Sequence, residues 1–169
     1  GDAGTSRAMI LSELLALYPV LGRLAPALQQ RIVDAMQTMT VPGATAVFDE
    51  RQPCRGFPFV LAGAIRVVKL SASGRELPLY RVLAGESCII SSSCLLGHAD
   101  YNARGISEGE TTLALLPRPL FDEMLATPVF RDFVFSLFSE RMAELMQLVE
   151  EVAFRKLDQR LAALLLGKG

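Results

Sequence analysis

Phe57-Pro58-Phe59-Val60-Leu61-Ala62-Gly63 runs into Ala64-Ile65-Arg66-Val67-Val68-Lys69-Leu70, then Ser71-Ala72-Ser73-Gly74, then Arg75-Glu76-Leu77-Pro78-Leu79-Tyr80-Arg81-Val82. This stretch decides the fold class. Phe57, Phe59 and Leu61 alternate with Pro58 and Val60 as in a strand, until Gly63 interrupts. Residues 64–70 form a second strand, and the Ser/Gly turn leads into a returning arm over 75–82. Pro78 in that arm has no N–H for a ladder, which predicts an edge position or a bulge.

The same punctuation continues on both sides. Val41-Pro42-Gly43 is a turn, residues 45–48 a short strand, and residues 111–116 another, stopped by Pro117 and Pro119. Many short strands between frequent turns predict a β-sandwich or jelly-roll barrel. Upstream, Ile10, Leu14, Leu15, Leu17 and Leu21 recur at helical spacing until Pro19 and Gly22 break the run. A second helix is expected from Pro26 to about Thr38, with Leu28, Ile32 and Met36 on one face. Downstream, neither proline nor glycine occurs between Pro128 and Leu157. Phe138, Leu145 and Val152 repeat every seven residues with Met142 and Val149 between them, and Phe130, Val134, Leu137 and Leu148 make a second stripe facing the barrel. A helix of that length spans about 45 Å, more than a small barrel covers. Its seam predicts a homodimer through the long helix.

The 169 residues suffice for one compact domain with an appended helix. The apolar fraction of 51% supplies a core, and 17 Lys and Arg against 18 Asp and Glu leave a formal charge of −1. A domain that grips DNA phosphates by itself is clearly basic, so DNA contact belongs to a segment not in this sequence. No apolar run reaches membrane-spanning length, and Gly1-Asp2-Ala3-Gly4 opens no secretory signal. Cys54, Cys88 and Cys94 are an odd count, the usage of reduced thiols in a cytoplasm. A metal-dependent enzyme on a jelly roll needs several histidines, and this chain has one. No nucleophile–base arrangement stands out either.

Two short helices, a glycine-punctuated barrel, a long helix and then Ala153-Phe154-Arg155-Lys156-Leu157-Asp158-Gln159-Arg160-Leu161-Ala162 follow one another in this order. With the segment Phe59–Val67, the hairpin element Gly74-Arg75-Glu76, and Gly85-Glu86, that order resembles the sensor domains of CRP/FNR transcription regulators. The resemblance implies a mainly β fold with flanking helices, a jelly-roll or double-stranded β-helix barrel of the cyclic-nucleotide-binding type, plus a long C-terminal α-helix. It implies a sensor barrel with N-terminal helices over 1–126, a dimerisation helix over 127–157 and, over 158–169, the start of a linker helix. Arg160-Leu161-Ala162 with Leu164 and Leu165 is similar to the helix that leads into the family's winged helix-turn-helix, expected beyond Gly169. A stand-alone or channel-type ligand module using the same barrel is the other use of this architecture.

In cyclic-nucleotide-binding members of such families a Gly-Glu pair opens a short helical cassette whose amides meet the cyclic phosphate, and a later Arg followed by Ser or Thr and Ala neutralises it. Gly85 and Glu86 match the start, with Ser87, Cys88, Asn102 and Ala103 as further candidate effector contacts, but the later triplet aligns with Tyr101-Asn102-Ala103, so Tyr101 stands where the Arg is expected. Arg104 lies three positions further, which on a strand turns it to the opposite face. Leu145 and Met146 stand where cAMP-responsive members present polar residues to the adenine. These replacements predict that cAMP is not the effector. What fills the site is left open between three readings: buried structural cysteines, a haem or metal site using Cys88, Cys94 and His98, and a thiol redox sensor. The Cys-x-His ligand pattern of the family's haem-dependent carbon monoxide sensor is absent, because Ile90 follows Cys88 by two, and so is the N-terminal cysteine cluster of its iron–sulfur members. Cys88 and Cys94 face different sides of a helix or sit roughly 20 Å apart on a strand, too far to bridge without a tight turn. Cys54 joins them only if the fold brings it near. Arg51 occupies the glycine position of the family's Phe-x-x-Gly turn.

Overall fold

The structure is a computed structural model that describes residues 2–167. Helix α1 (Asp2–Leu17), a 3-10 turn (Pro19–Arg23) and α2 (Pro26–Ala35) precede strands β1 (Gln37–Val41), β2 (Ala46–Phe48), β3 (Gly56–Leu70) and β4 (Glu76–Leu83). Helix α3 (Ile89–Gly97), strand β5 (Arg104–Pro117), α4 (Arg118–Leu125) and α5 (Pro128–Leu165) complete the chain. The expected β architecture with flanking helices and a long terminal helix is the one found, although helical residues outnumber those in strands.

The sheet is antiparallel in the order β1-β5-β3-β4, with β2 also pairing β5. Strand β3 is continuous where the sequence predicted a break at Gly63. The register instead shifts between Val60 and Ala62 and again between Ala62 and Ala64. Gly63 sits at φ +80°, and a Cβ there would lie 2.5 Å from the Glu110 carbonyl oxygen. Glycine therefore lets the strand kink without losing its partner β5. Pro78 lies as expected, on a strand at the end of the sheet, beside the register shift between Val67 and Val68.

Two segments depart from the sequence reading. The second helix stops at Ala35, because Gln37 and Thr38 pair with Leu115 and Ala114 to begin β1. Strand β5 begins at Arg104, seven residues before the apolar run that signalled it. Its first half is polar and glycine-bearing, so it is held by pairing to β3 and β2 and not by a hydrophobic pattern.

The chain forms two compact units, one up to Val134 and one from Phe135. In the first, Phe57, Phe59, Phe121 and Phe130 are fully buried. Phe57 stacks on Phe121 at 5.4 Å, Phe121 meets Phe130 edge-on at 5.7 Å, and Tyr18 meets Phe59 edge-on at 4.8 Å. Each such ring contributes about 1.5–3 kcal/mol by burial, and together they fasten the N-terminal helices and α4 to β3. The second unit is helical, and α5 passes 157/158 without a break. Phe130 and Val134 of the predicted barrel-facing stripe are buried in the first unit, whereas Leu148 is exposed. No helix among the described residues is long and apolar enough to cross a membrane.

Candidate functional site

The turn after β4 carries Gly85 at φ +85°, where a Cβ would stand 3.2 Å from the Leu17 carbonyl oxygen. Glycine lets the chain pass this close to the end of α1. Glu86 is exposed, and its Oε1 accepts the Leu83 N–H at 2.8 Å. Its carbonyl accepts the Tyr18 hydroxyl at 2.6 Å, while the Val60 N–H donates to the Tyr18 oxygen at 3.0 Å. Burial pushes the Tyr18 phenol up to about 12, so it stays a neutral clamp. Gly85 and Glu86 therefore tie the turn to the N-terminal segment and precede the helix of the cassette. That helix, α3, opens on Ile89 and Ile90, with Cys88 as its N-cap residue and Ser87 bridged to Phe59.

A helix N-terminus offers unpaired amides to an anion. At α3 one of them is already taken, because the Ile90 N–H donates to the Tyr80 hydroxyl at 3.1 Å. The same hydroxyl lies 3.4 Å from the Cys88 thiol. Sequence reasoning missed Tyr80. It was one aromatic in an alternating strand, and only the return of β4 past the cassette gives it a role.

Tyr101, Asn102 and Ala103 end the loop that follows α3. Tyr101 is 8% exposed and stacks on Phe48 at 4.5 Å with ring planes 15° apart. Its backbone exchanges hydrogen bonds with the β2–β3 loop, accepting from Arg51 N–H at 2.8 Å and donating to the Gln52 carbonyl at 3.0 Å. Its phenol meets the side chains of Cys54 and Ser91, and burial raises it well above the ordinary tyrosine value. Asn102 is exposed, with its carbonyl accepting the Lys69 ammonium, and Ala103 is fully buried. Arg104 forms a bidentate pair with Asp49, at 2.9 Å for each bond, which holds the Asp49 carboxyl below its usual range. Its guanidinium is committed to that pair.

All three cysteines are free and buried. The fold does bring Cys54 to the cassette: its thiol donates to the Ser91 carbonyl at 3.7 Å and meets the Cys94 side chain. Cys94 donates to the Ala99 carbonyl at 2.8 Å, and burial followed by contact with Cys54 pushes its thiol up to about 12. His98 caps α3 at φ +50° and is exposed, with Nδ1 3.1 Å from Arg118 Nη2, so the three metal candidates Cys88, Cys94 and His98 face different neighbours. No group of three or more His, Cys, Asp or Glu side chains among the described residues is arranged to hold a metal ion.

A cavity of about 530 Å³ lies beside Tyr101, walled by Met39, Phe48 and Leu115 and edged by Gln37, Gln52 and Arg55. It falls within the size range of small-molecule sites. Leu145 and Met146 belong to the second unit and are 60% and 56% exposed. Of the seam residues, Met142, Leu145, Val149 and Val152 are exposed, and Phe138 is half-buried.

The sequence profile described as Cyclic nucleotide-binding domain matches residues 38–127. Among solved structures, a protein described as a CRP/FNR-family transcriptional regulator from Eubacterium rectale is 26% identical at a TM-score of 0.72, over 90% of this chain and 71% of its own. The sensor domain of the transcriptional regulator DNR from Pseudomonas aeruginosa is 14% identical at 0.68, over 86% and 94%. The regulatory domain of Toxoplasma gondii PKA, solved with cAMP, is 20% identical at 0.68, over 85% and 52%. The last two show the shared fold alone. A search of curated protein sequences finds no match.

Proposed function

The chain belongs to the cyclic nucleotide-binding domain family, and from that premise we propose that it is the effector-sensing and dimerisation part of a CRP/FNR-type transcription regulator that does not answer to cAMP. The observation that carries the second half is the Tyr80 hydroxyl on the Ile90 N–H, a neutral group seated where a phosphate would meet the helix. The cationic partner is missing as well, since Tyr101 is neutral and Arg104 is held by Asp49. A buried phosphate left without donors or counter-charge costs several kcal/mol.

The regulator assignment is supported by the Eubacterium protein, which shares both sequence and most of its length with this chain. The 38-residue helix with its exposed seam supports dimerisation. With a formal charge of −1, the chain leaves DNA contact to a part of the protein outside this sequence. The mechanism is a population shift, in which an effector held by the first unit favours one arrangement of the dimer over another. Isothermal titration calorimetry with cAMP tests the proposal. No heat of binding is expected, and micromolar affinity, about −8 kcal/mol, would overturn it.

A further inference from the structure

Cys54 and Cys94 come from different elements, the β2–β3 loop and the middle of α3, yet their thiols meet. Both positions are fixed from outside the pair. Pro53 bridges Asp100 beside Cys54, and the Cys54 thiol reaches back to the Ser91 carbonyl at 3.7 Å. Cys94 is anchored through the Ala99 carbonyl. The two residues are 4% and 3% exposed. Beside them the Tyr101 phenol meets both the Cys54 thiol and the fully buried Ser91 hydroxyl. On the same side Arg118 is pinned by the Leu95 carbonyl and His98 Nδ1, each 3.1 Å from Nη2, and its positive charge acts on both thiols. Cys88 is near enough to act on Cys54 through its charge, but its thiol has the Tyr80 hydroxyl as its partner.

We propose that Cys54 and Cys94 form a two-coordinate site for a thiophilic monovalent cation, with cuprous ion as the occupant. The proposal rests on the sensing reading above and gives the effector a chemical class. Zinc needs about four ligands and calcium about six to eight, and no cluster of three donor side chains exists among the described residues. Two sulfurs satisfy a soft closed-shell monovalent ion, which prefers thiolate over every other protein donor. The exchange balances as two thiols and one cuprous ion giving a linear bis-thiolate complex of charge −1 and two released protons. Bound metal deprotonates a coordinating thiol outright, and Arg118 faces the resulting negative charge.

The test is anaerobic competition for cuprous ion against a coloured cuprous chelator, using the whole chain. The wild type is expected to withdraw one ion per chain. Cys54→Ser and Cys94→Ser should each weaken binding at least about 100-fold, the upper end of what even an outer-shell change costs, while Cys88→Ser stays near wild type. X-ray absorption of the copper-loaded wild type should show two sulfur neighbours and nothing else, a readout that stands even if a serine variant does not fold. Unchanged binding in Cys54→Ser or Cys94→Ser, a third ligand, or no copper uptake overturns the site. Titration of the same samples with cAMP separates the two claims. Silent cAMP with no copper uptake removes only the metal site, whereas cAMP binding removes the functional reading beneath it.

Discussion

Arg51 sits at φ +65° in the turn after Phe48, a conformation that costs a residue with a Cβ about 1–2 kcal/mol. It persists because its N–H is tied to the Tyr101 carbonyl at 2.8 Å, which aligns the β2–β3 loop with the cassette. Arg51→Gly keeps that bond and removes the strain, so it should stabilise the protein by about 1 kcal/mol, less a small entropic loss. Urea denaturation should show a higher midpoint at unchanged slope, and a lower midpoint would refute the strain argument. The position was legible in sequence as a glycine missing from a familiar turn. Tyr101 was legible only as a missing arginine, since nothing in the sequence says that its ring stacks on Phe48 or that its phenol meets Cys54 and Ser91. Tyr101→Phe keeps the stack and loses the hydroxyl, and is expected to cost about 1 kcal/mol in the same measurement. A loss near 4 kcal/mol, the range of a deleted aromatic ring, would mean the ring itself had moved.

At the scale of elements, what the sequence revealed depended on whether a segment owes its form to its own pattern or to its neighbours. The hairpin of β3 and β4 carries alternation, a turn and a telling proline, and its turn and returning arm were readable, whereas the continuity of β3 through Gly63 was not. The first half of β5, Arg104–Glu110 in the sequence, has few apolar residues and two glycines, so only its partners make it a strand. Helix α3 holds three consecutive serines, poor helix formers, and was undecided between helix and strand. Its four buried residues Ser91, Ser92, Cys94 and Leu95 show that packing settles its form. Gly63 is where pattern and packing meet, because the kink that lets β3 keep β5 requires positive φ and no side chain. Gly63→Ala would place a methyl 2.5 Å from the Glu110 carbonyl and 2.6 Å from the Thr111 hydroxyl. We expect a loss of about 3 kcal/mol, the upper end for a forced backbone conformation, and faster amide exchange along Leu113 and Thr112 opposite the kink. Wild-type exchange there would show that the register shifts do not depend on the glycine.

For the molecule as a whole, α5 is about 57 Å long at 1.5 Å per residue, and most of its apolar side chains beyond Val134 are exposed in a single chain. Met142, Leu145, Val149 and Val152 follow the 4-3 spacing of a coiled-coil seam, and that spacing was plain in the sequence. The next positions in the series are Lys156 and Gln159, so the seam ends near Val152. Phe154, Leu157, Leu161 and Leu164 then continue an apolar stripe on a different face, all at least half exposed. One helix carrying two offset stripes suits a chain that pairs with a copy of itself over one stretch and meets something else over the next. Leu145 stands at the middle of the first stretch, and in the proposed dimer it faces its own counterpart. Leu145→Glu would place two carboxylates in that apolar seam, at a cost of about 3 kcal/mol or more, enough to weaken a dimer at least about 100-fold. Light scattering at micromolar concentration should read the mass of one chain for the variant and of two for the wild type. Circular dichroism should retain the β signal of the first unit, whose core the substitution does not touch. A variant that remains dimeric would place the contact on the Phe154–Leu164 stripe, and Leu161→Glu would then be the substitution that separates the chains.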